Sequence, residues 1–295
     1  MKKLITVFTP TYNRKELIVN CFNSLKRQTS YNFIWLIIDD GSTDDTQSLV
    51  QEWQQQDNEF EIRYCYKANG GLHTAFNKGI ELADTELFVC IDSDDWMPND
   101  AIEKIEKIWS NISHEKYVGI IGVDKCSDGS VAGEYFPESL NELYLSENLT
   151  KYHVDGDKKL VHKTALLKRV APMPSFGDEK FFNPAYMMYQ LDQFGKLYIT
   201  NECFCIVDYQ LDGMSSNIYK QYKNSPRSFA ETRKLYLTFP YRPFSFTFRQ
   251  YIHYSSSCIL AHNVFRGAKE ISSKALFFLA FPMGVMLSVY IKIKG

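Results

Sequence analysis

Leu87-Phe88-Val89-Cys90-Ile91-Asp92-Ser93-Asp94-Asp95 is the stretch on which the fold turns. Its apolar run makes a buried strand that stops abruptly at an acidic cluster. Pro98-Asn99-Asp100 then opens a helix carrying Ile102, Ile105, Ile108 and Trp109 at helical spacing. The end of a strand just before a helix is where open α/β sheets bind ligands. Residues two apart in extended backbone project to one side, so Asp92 and Asp94 can meet one hard cation and hold a diphosphate against it. Oxygen donors without nearby Cys or His favour Mn2+ or Mg2+ over zinc. The competing reading is a solvated acidic turn in which Asp94 or Asp95 caps the next helix.

Working back from that cluster, the same strand-then-helix unit repeats three times. Residues 4–8 read as a strand, and Leu17, Ile18, Cys21, Phe22 and Leu25 recur as a helix face. Residues 33–38 are a second strand, and Asp39-Asp40-Gly41-Ser42-Thr43-Asp44-Asp45 supplies a turn and a cap for a helix with Thr46, Leu49, Val50 and Trp53 inward. Residues 61–66 are a third, followed by Lys67-Ala68-Asn69-Gly70-Gly71 and a helix over 72–83 with Ala75, Phe76, Gly79 and Ile80 inward. In a parallel series all four turns lie on one edge of the sheet. The turn Thr9-Pro10-Thr11-Tyr12-Asn13-Arg14 brings a ring, an amide and a guanidinium suited to a nucleotide. Asp40 brings a carboxylate for a base N–H or ribose hydroxyls, and Lys67 a cation for base or phosphate. Each turn alone is ordinary; their convergence on one crevice is what points to a nucleotide.

Residues 5–14, 39–45, 69–79 and 92–98 together resemble the nucleotide-binding half of family 2 glycosyltransferases of the GT-A fold, of the bacterial capsular or surface polysaccharide type. The resemblance implies an α/β, Rossmann-like, mostly parallel sheet that binds a nucleotide diphosphate sugar donor, with a UDP-sugar favoured. It implies that Asp40 contacts the base, that Asp92 and Asp94 are the Asp-x-Asp pair at ribose, metal and diphosphate with Ser93 between them, and that Thr9, Tyr12 and Arg14 line the nucleotide pocket. Lys67 and Asn69 would lie on its far side. It also implies inverting transfer to a hydroxyl of a saccharide or lipid-linked saccharide acceptor. Such a reaction needs a carboxylate to take the acceptor proton. Phe176-Gly177-Asp178-Glu179-Lys180-Phe181 offers Glu179, with Asp178 as substitute, against the alternative of a surface loop. The family's acidic pair usually ends in the base, whereas here Lys180 follows Glu179. Tyr209-Gln210-Leu211-Asp212-Gly213-Met214-Ser215 resembles the segment that closes over the donor, or is a simple turn at Asp212-Gly213.

Composition bounds these readings. The 295 residues are 45% apolar and 23% charged, values of an ordinary globular protein, and a net charge of -2 gives no general attraction to nucleic acid. Seven cysteines in no paired spacing fit a reducing compartment. Met1-Lys2-Lys3 running straight into a strand leaves no room for a secretory signal, so a cytoplasmic location is expected. His153 and His162 are candidate third metal ligands, a lone histidine being more often structural. The expected organisation is a catalytic domain over 1–215, with a nucleotide-sugar half at 1–123 and an acceptor half at 124–215, then a helical extension over 216–295. The aromatic and basic extension suits peripheral contact with the inner membrane face, packing on the catalytic core, or a homodimer. Its apolar run 276–291, interrupted by Pro282, Gly284 and Ser288, falls short of the about 20 residues of a span. Two rivals remain. A sugar-phosphate nucleotidylyltransferase would carry a Gly-rich phosphate loop where this chain has Thr9-Pro10-Thr11-Tyr12. A non-catalytic relative acting as an assembly partner would not need Asp92 and Asp94.

Overall fold

The computed structural model describes residues 2–208 and 218–295. Strands and helices alternate from the start: β1 Ile5–Thr11, α1 Ile18–Lys26, β2 Phe33–Asp39, α2 Thr46–Gln54, β3 Glu61–Tyr66, α3 Leu72–Leu82, β4 Leu87–Cys90 and α4 Ala101–Asn111. The regular alternation then gives way to β5 Tyr117–Cys126, β6 Glu142–Leu143, a single turn α5 Leu145–Glu147, β7 Lys158–Lys163, α6 Thr164–Val170, α7 Ala185–Gln190 and β8 Lys196–Val207. Five helices close the described chain: α8 Ile218–Asn224, α9 Pro226–Tyr236, α10 Phe244–Leu260, α11 Val264–Glu270 and α12 Lys274–Lys294.

One sheet carries the strands in the order β3-β2-β1-β4-β7-β5-β8-β6. β1 pairs in parallel with β2 and β4, and β2 with β3, which makes the mostly parallel half expected of the repeats. β7 enters antiparallel between β4 and β5, and β8 returns parallel to β5. Both sheet faces are covered, so β2 is apolar from Phe33 to Ile38: Phe33, Trp35 and Ile37 pack toward α1, α2 and α4, while Leu36 and Ile38 pack toward α3. Trp35 packs against the stacked pair Phe22 and Trp53, with ring centroids 5.9 and 5.8 Å away. A third apolar cluster, built around Tyr251, Tyr254 and Phe277, holds the C-terminal helices together.

Two sequence expectations change at this level. The first strand runs three residues further than expected, because Thr9, Pro10 and Thr11 pair with Ile37, Ile38 and Asp39. Pro10 is tolerated there since β1 has already lost its β4 neighbour, whose pairing ends at Phe8. The apolar run near the C-terminus is not interrupted either: α12 is one helix of 21 residues with Pro282 inside it. The domain boundary at 215 and the donor-closing segment 209–215 lie outside the described residues.

His162 sits on β7 between β4 and β5, and neither ring nitrogen has a hydrogen-bond partner. Burial pushes its pKa down to about 3. The unfolded chain therefore takes up a proton that the native state refuses between pH about 6.5 and about 3, so stability is complete above that window and lost as pH falls through it. His162→Phe is expected to remove that slope, a difference of about 2 kcal/mol at pH 5 in urea unfolding. Parallel pH profiles for the two proteins would contradict it.

Candidate active site

The C-terminal ends of β1, β2, β4 and β8 open onto one crevice of about 540 Å³. Tyr12, Arg14, Asp40, Asn69, Asp92, Ser93 and Asp94 all line it, so four turns far apart in sequence do meet at one rim. Tyr12 is half exposed there. Arg14 donates from Nη1 to Asp94 Oδ2 at 2.7 Å, tying the first turn to the fourth.

Asp40 organises the wall between the second and third turns. Its buried carboxylate accepts from the backbone N–H of Gly70 at 3.0 Å and of Gly71 at 2.7 Å, from Asn69 Nδ2 at 3.2 Å, and from Lys67 Nζ. Lys67 also donates to the Ala68 carbonyl and to Thr74 Oγ1, each at 2.7 Å. An ammonium has three donors, and all three are spent here. Lys67 thus corrects the sequence reading: it braces the loop and does not line the crevice. The crevice cation on this side is Lys180, whose Nζ donates to Asn69 Oδ1 at 2.6 Å. Gly71, at φ +94°, lies so close to the Lys180 backbone that a Cβ would come within 1.9 Å of its carbonyl oxygen.

The acidic cluster is not a helix cap, since α4 begins at Ala101 and Trp96 instead pairs with Ile206 of β8. Asp92 is open to solvent in the crevice but backed by protein on its other sides. That desolvation and the charge of Asp94 raise its pKa, against the pull of Lys159. Burial likewise pushes Asp95 up to about 7 and Asp124 up to about 6. Lys159, on β7, lies 3.7 Å from Asp124 Oδ2 and 4.0 Å from Asp95 Oδ2. Its own burial opposes its charge, yet Asp124 foremost, with Asp95 and Asp92, keeps its pKa well above the ordinary value. No three-residue cluster of His, Cys, Asp or Glu able to hold a metal occurs among the described residues. The donor set nevertheless fits Mn2+ or Mg2+: two crowded carboxylates face an open crevice, and such ions commonly take their remaining ligands from water and substrate phosphates.

Three further expectations are corrected. Thr9 is fully buried in β1, where its hydroxyl accepts from Trp35 Nε1 at 2.9 Å; Pro10 and Thr11 line the crevice in its place. Glu179 is turned away from the crevice. Its buried carboxylate accepts from Arg227 N and Nε, each at 2.9 Å, and from Ser228 N at 2.8 Å and Oγ at 2.7 Å. These include the unpaired donors of the first turn of α9, so Glu179 fastens the 176–181 loop to a helix N-terminus. Asp178 is exposed and paired with Arg227. The crevice carboxylates that the sequence did not single out are Asp157 and Asp208; Asp95, read there only as part of the acidic turn, lines it too. Lys159 gave no signal, because its partners lie in distant parts of the chain. Of the histidines, His153 lies outside the crevice lining and His162 is in the core.

A sheet of this order with an acid-lined crevice at its strand ends is the GT-A arrangement of glycosyltransferases. Residues 6–165, more than half of the chain, match the Glycosyl transferase family 2 profile, and the chain belongs to that family. Glycosyltransferase GlyG of Streptococcus pneumoniae is 27% identical over 207 residues, 68% of this chain and 61% of its own. Putative glycosyltransferase EpsH of Bacillus subtilis is 36% identical over 101 residues, 34% of this chain and 29% of its own. The chain thus spans less than two thirds of either relative. Among solved structures, S. aureus TarS 1–349 in complex with UDP-GlcNAc aligns with a TM-score of 0.60 at 17% identity, covering 98% of this chain and 90% of that one. Mannosyltransferase PcManGT from Pyrobaculum calidifontis, in complex with GDP-Man and Mn2+, aligns with a TM-score of 0.56 at 16% identity, covering 98% and 81%. At these identities the likeness is one of fold.

Asp40→Ala leaves Lys67 and two backbone N–H groups without their acceptor. It is expected to lower stability by about 3 kcal/mol in urea unfolding. A midpoint equal to that of the unmodified protein would show that Asp40 does not brace the loop.

Proposed function

We propose that this protein transfers a sugar from a nucleoside diphosphate donor, a UDP-sugar in preference, to a hydroxyl of a saccharide or lipid-linked saccharide acceptor in surface polysaccharide synthesis, with inversion at the anomeric carbon. The observation that carries the reading is the crevice itself, where Asp92 and Asp94 stand beside Arg14 at the ends of parallel strands. The UDP-GlcNAc and the GDP-Man with Mn2+ named for the two structural neighbours support it.

In this proposal the exposed ring of Tyr12 stacks on the base, and Asp40 and Asn69 form the polar wall at the base edge. Both are already engaged, Asp40 with the 67–71 loop and Asn69 with Asp40 and Lys180, so the wall is held in place before a base arrives. Arg14, beside Asp94, and Lys180, beside Asn69, are the crevice cations available to the donor's phosphates. Asp92 and Asp94 would hold Mn2+ or Mg2+, which when bound offsets charge on the departing diphosphate. Ser93 packs between them, buried. Asp157 and Asp208 are the crevice carboxylates outside the Asp92 to Asp95 cluster and the Asp40 clasp, and so are candidates for accepting the acceptor's proton. Residues 1–215 would carry this chemistry and 216–295 form a helical extension, a division supported by the separate apolar cluster of the C-terminal helices.

The test is a thermal-shift panel of UDP, GDP and CDP with and without Mn2+. UDP with Mn2+ at a hundred times its Kd is expected to stabilise by about 2.7 kcal/mol, and Asp94→Ala to abolish the metal-dependent part. Stabilisation by no nucleotide would remove the donor-site proposal. With a turnover assay in hand, Asp157→Asn and Asp208→Asn separate the candidates for proton removal. Lost transfer in Glu179→Gln alone, with its donor shift and stability intact, would return that role to Glu179.

A further inference from the structure

α12 is a helix without a polar face. Phe277, Ala280, Gly284, Ser288 and Ile291 form its buried stripe, and Gly284 meets α10 so closely that a Cβ would lie 2.0 Å from Ser255 Oγ. Every other outward position between the end lysines, 275–290, is apolar as well. Phe278, Leu279, Met283, Met286 and Val289 are between 51% and 72% exposed. No acidic residue occurs between 271 and 295, and no charge between Lys274 and Lys292. A helix that is apolar all round is normally buried, yet only 28% of its most apolar stretch is covered.

The charge around that face indicates what covers it. Residues 218–295 hold 12 Lys or Arg against 2 Asp or Glu, in a chain whose net charge is -2. Part of that excess flanks α12. Lys274 stands at one end, and Lys292 and Lys294 at the other, all exposed. α8 adds exposed Lys220 beside the C-terminal end, where Tyr219 meets Tyr290 edge-on at 5.4 Å. Lysines and tyrosines flanking an uncharged apolar face match the headgroup layer of an anionic bilayer, with the apolar side chains reaching the acyl region. A second copy of the chain would bring the same positive charge against itself.

We propose that α12 docks this protein on an anionic lipid surface, lying in the plane of the interface. A crossing orientation conflicts with the other side of the helix, which is packed on α10 with Gly284 against Ser255, and α10 in turn carries the buried polar side chains of Gln250, Ser255 and Ser256. The inference rests on the helix alone and does not depend on the sugar chemistry of the crevice.

The experiment is co-sedimentation of the full chain with vesicles of phosphatidylcholine alone and with added phosphatidylglycerol, alongside sedimentation velocity without lipid. Binding is expected to the anionic vesicles, weaker at high salt. Leu279→Glu with Met286→Glu should weaken it about tenfold or more, and Lys292→Glu with Lys294→Glu should reduce it, both with unchanged thermal unfolding. The exposed positions make both pairs compatible with folding, and nucleotide shifts in the crevice serve as an independent check on the fold. Failure to bind either vesicle would overturn the proposal. So would a lipid-free dimer that Met286→Glu splits, or equal binding to neutral and anionic vesicles.

Discussion

In-register parallel pairing of β1 with β2 on one side and β4 on the other is the constraint on which the rest of this structure depends. Parallel strands must be linked by crossovers on the sheet faces, so every connection from a strand end begins at the same rim. Tyr12, Asp40 and Asp92 become neighbours for that reason and not through any local attraction between them. Once they are there, side-chain bonds lock the arrangement. Asp40 fastens the third turn to the second, and Arg14 fastens the first to the fourth.

The crevice holds more negative charge than its own cations balance. Asp92, Asp95 and Asp124 all have raised pKa values, because burial disfavours their ionised forms and one buried Lys159 stands between them. A structure built only for stability would replace such a cluster with apolar side chains, which is often neutral or favourable. Its persistence at a rim open to solvent is physically sensible if a divalent cation completes it. The positive C-terminal helices balance the chain as a whole, but α12 directs its cations to the edges of an apolar face.

Much of the fold was legible because the sheet is covered on both faces. Buried strands then read as short apolar runs, and each helix shows one inward stripe, as Ala75, Phe76, Gly79 and Ile80 do on α3. Tyr12, Arg14, Asn69, Asp92 and Asp94 were legible for a related reason: they follow strand ends, and strand ends fix position. Lys67 and Glu179 were not, since their roles are set by which donors or acceptors the tertiary structure brings to them. Lys67 exhausts its three protons locally, and Glu179 is claimed by a helix start 48 and 49 residues further on. Thr9 failed through a boundary, because three more residues of pairing turned a supposed turn residue into a core one. The insertion of β7 between β4 and β5, which brings Lys159 under the acids, has no local pattern from which to read it.

The most direct measurement is an anomalous difference map from crystals of the protein soaked with UDP and Mn2+. The account requires one strong peak at coordination distance from the carboxylates of both Asp92 and Asp94, with the diphosphate completing its shell and the uracil beside Tyr12. A manganese peak away from those two carboxylates, or nucleotide density outside the crevice, would contradict it.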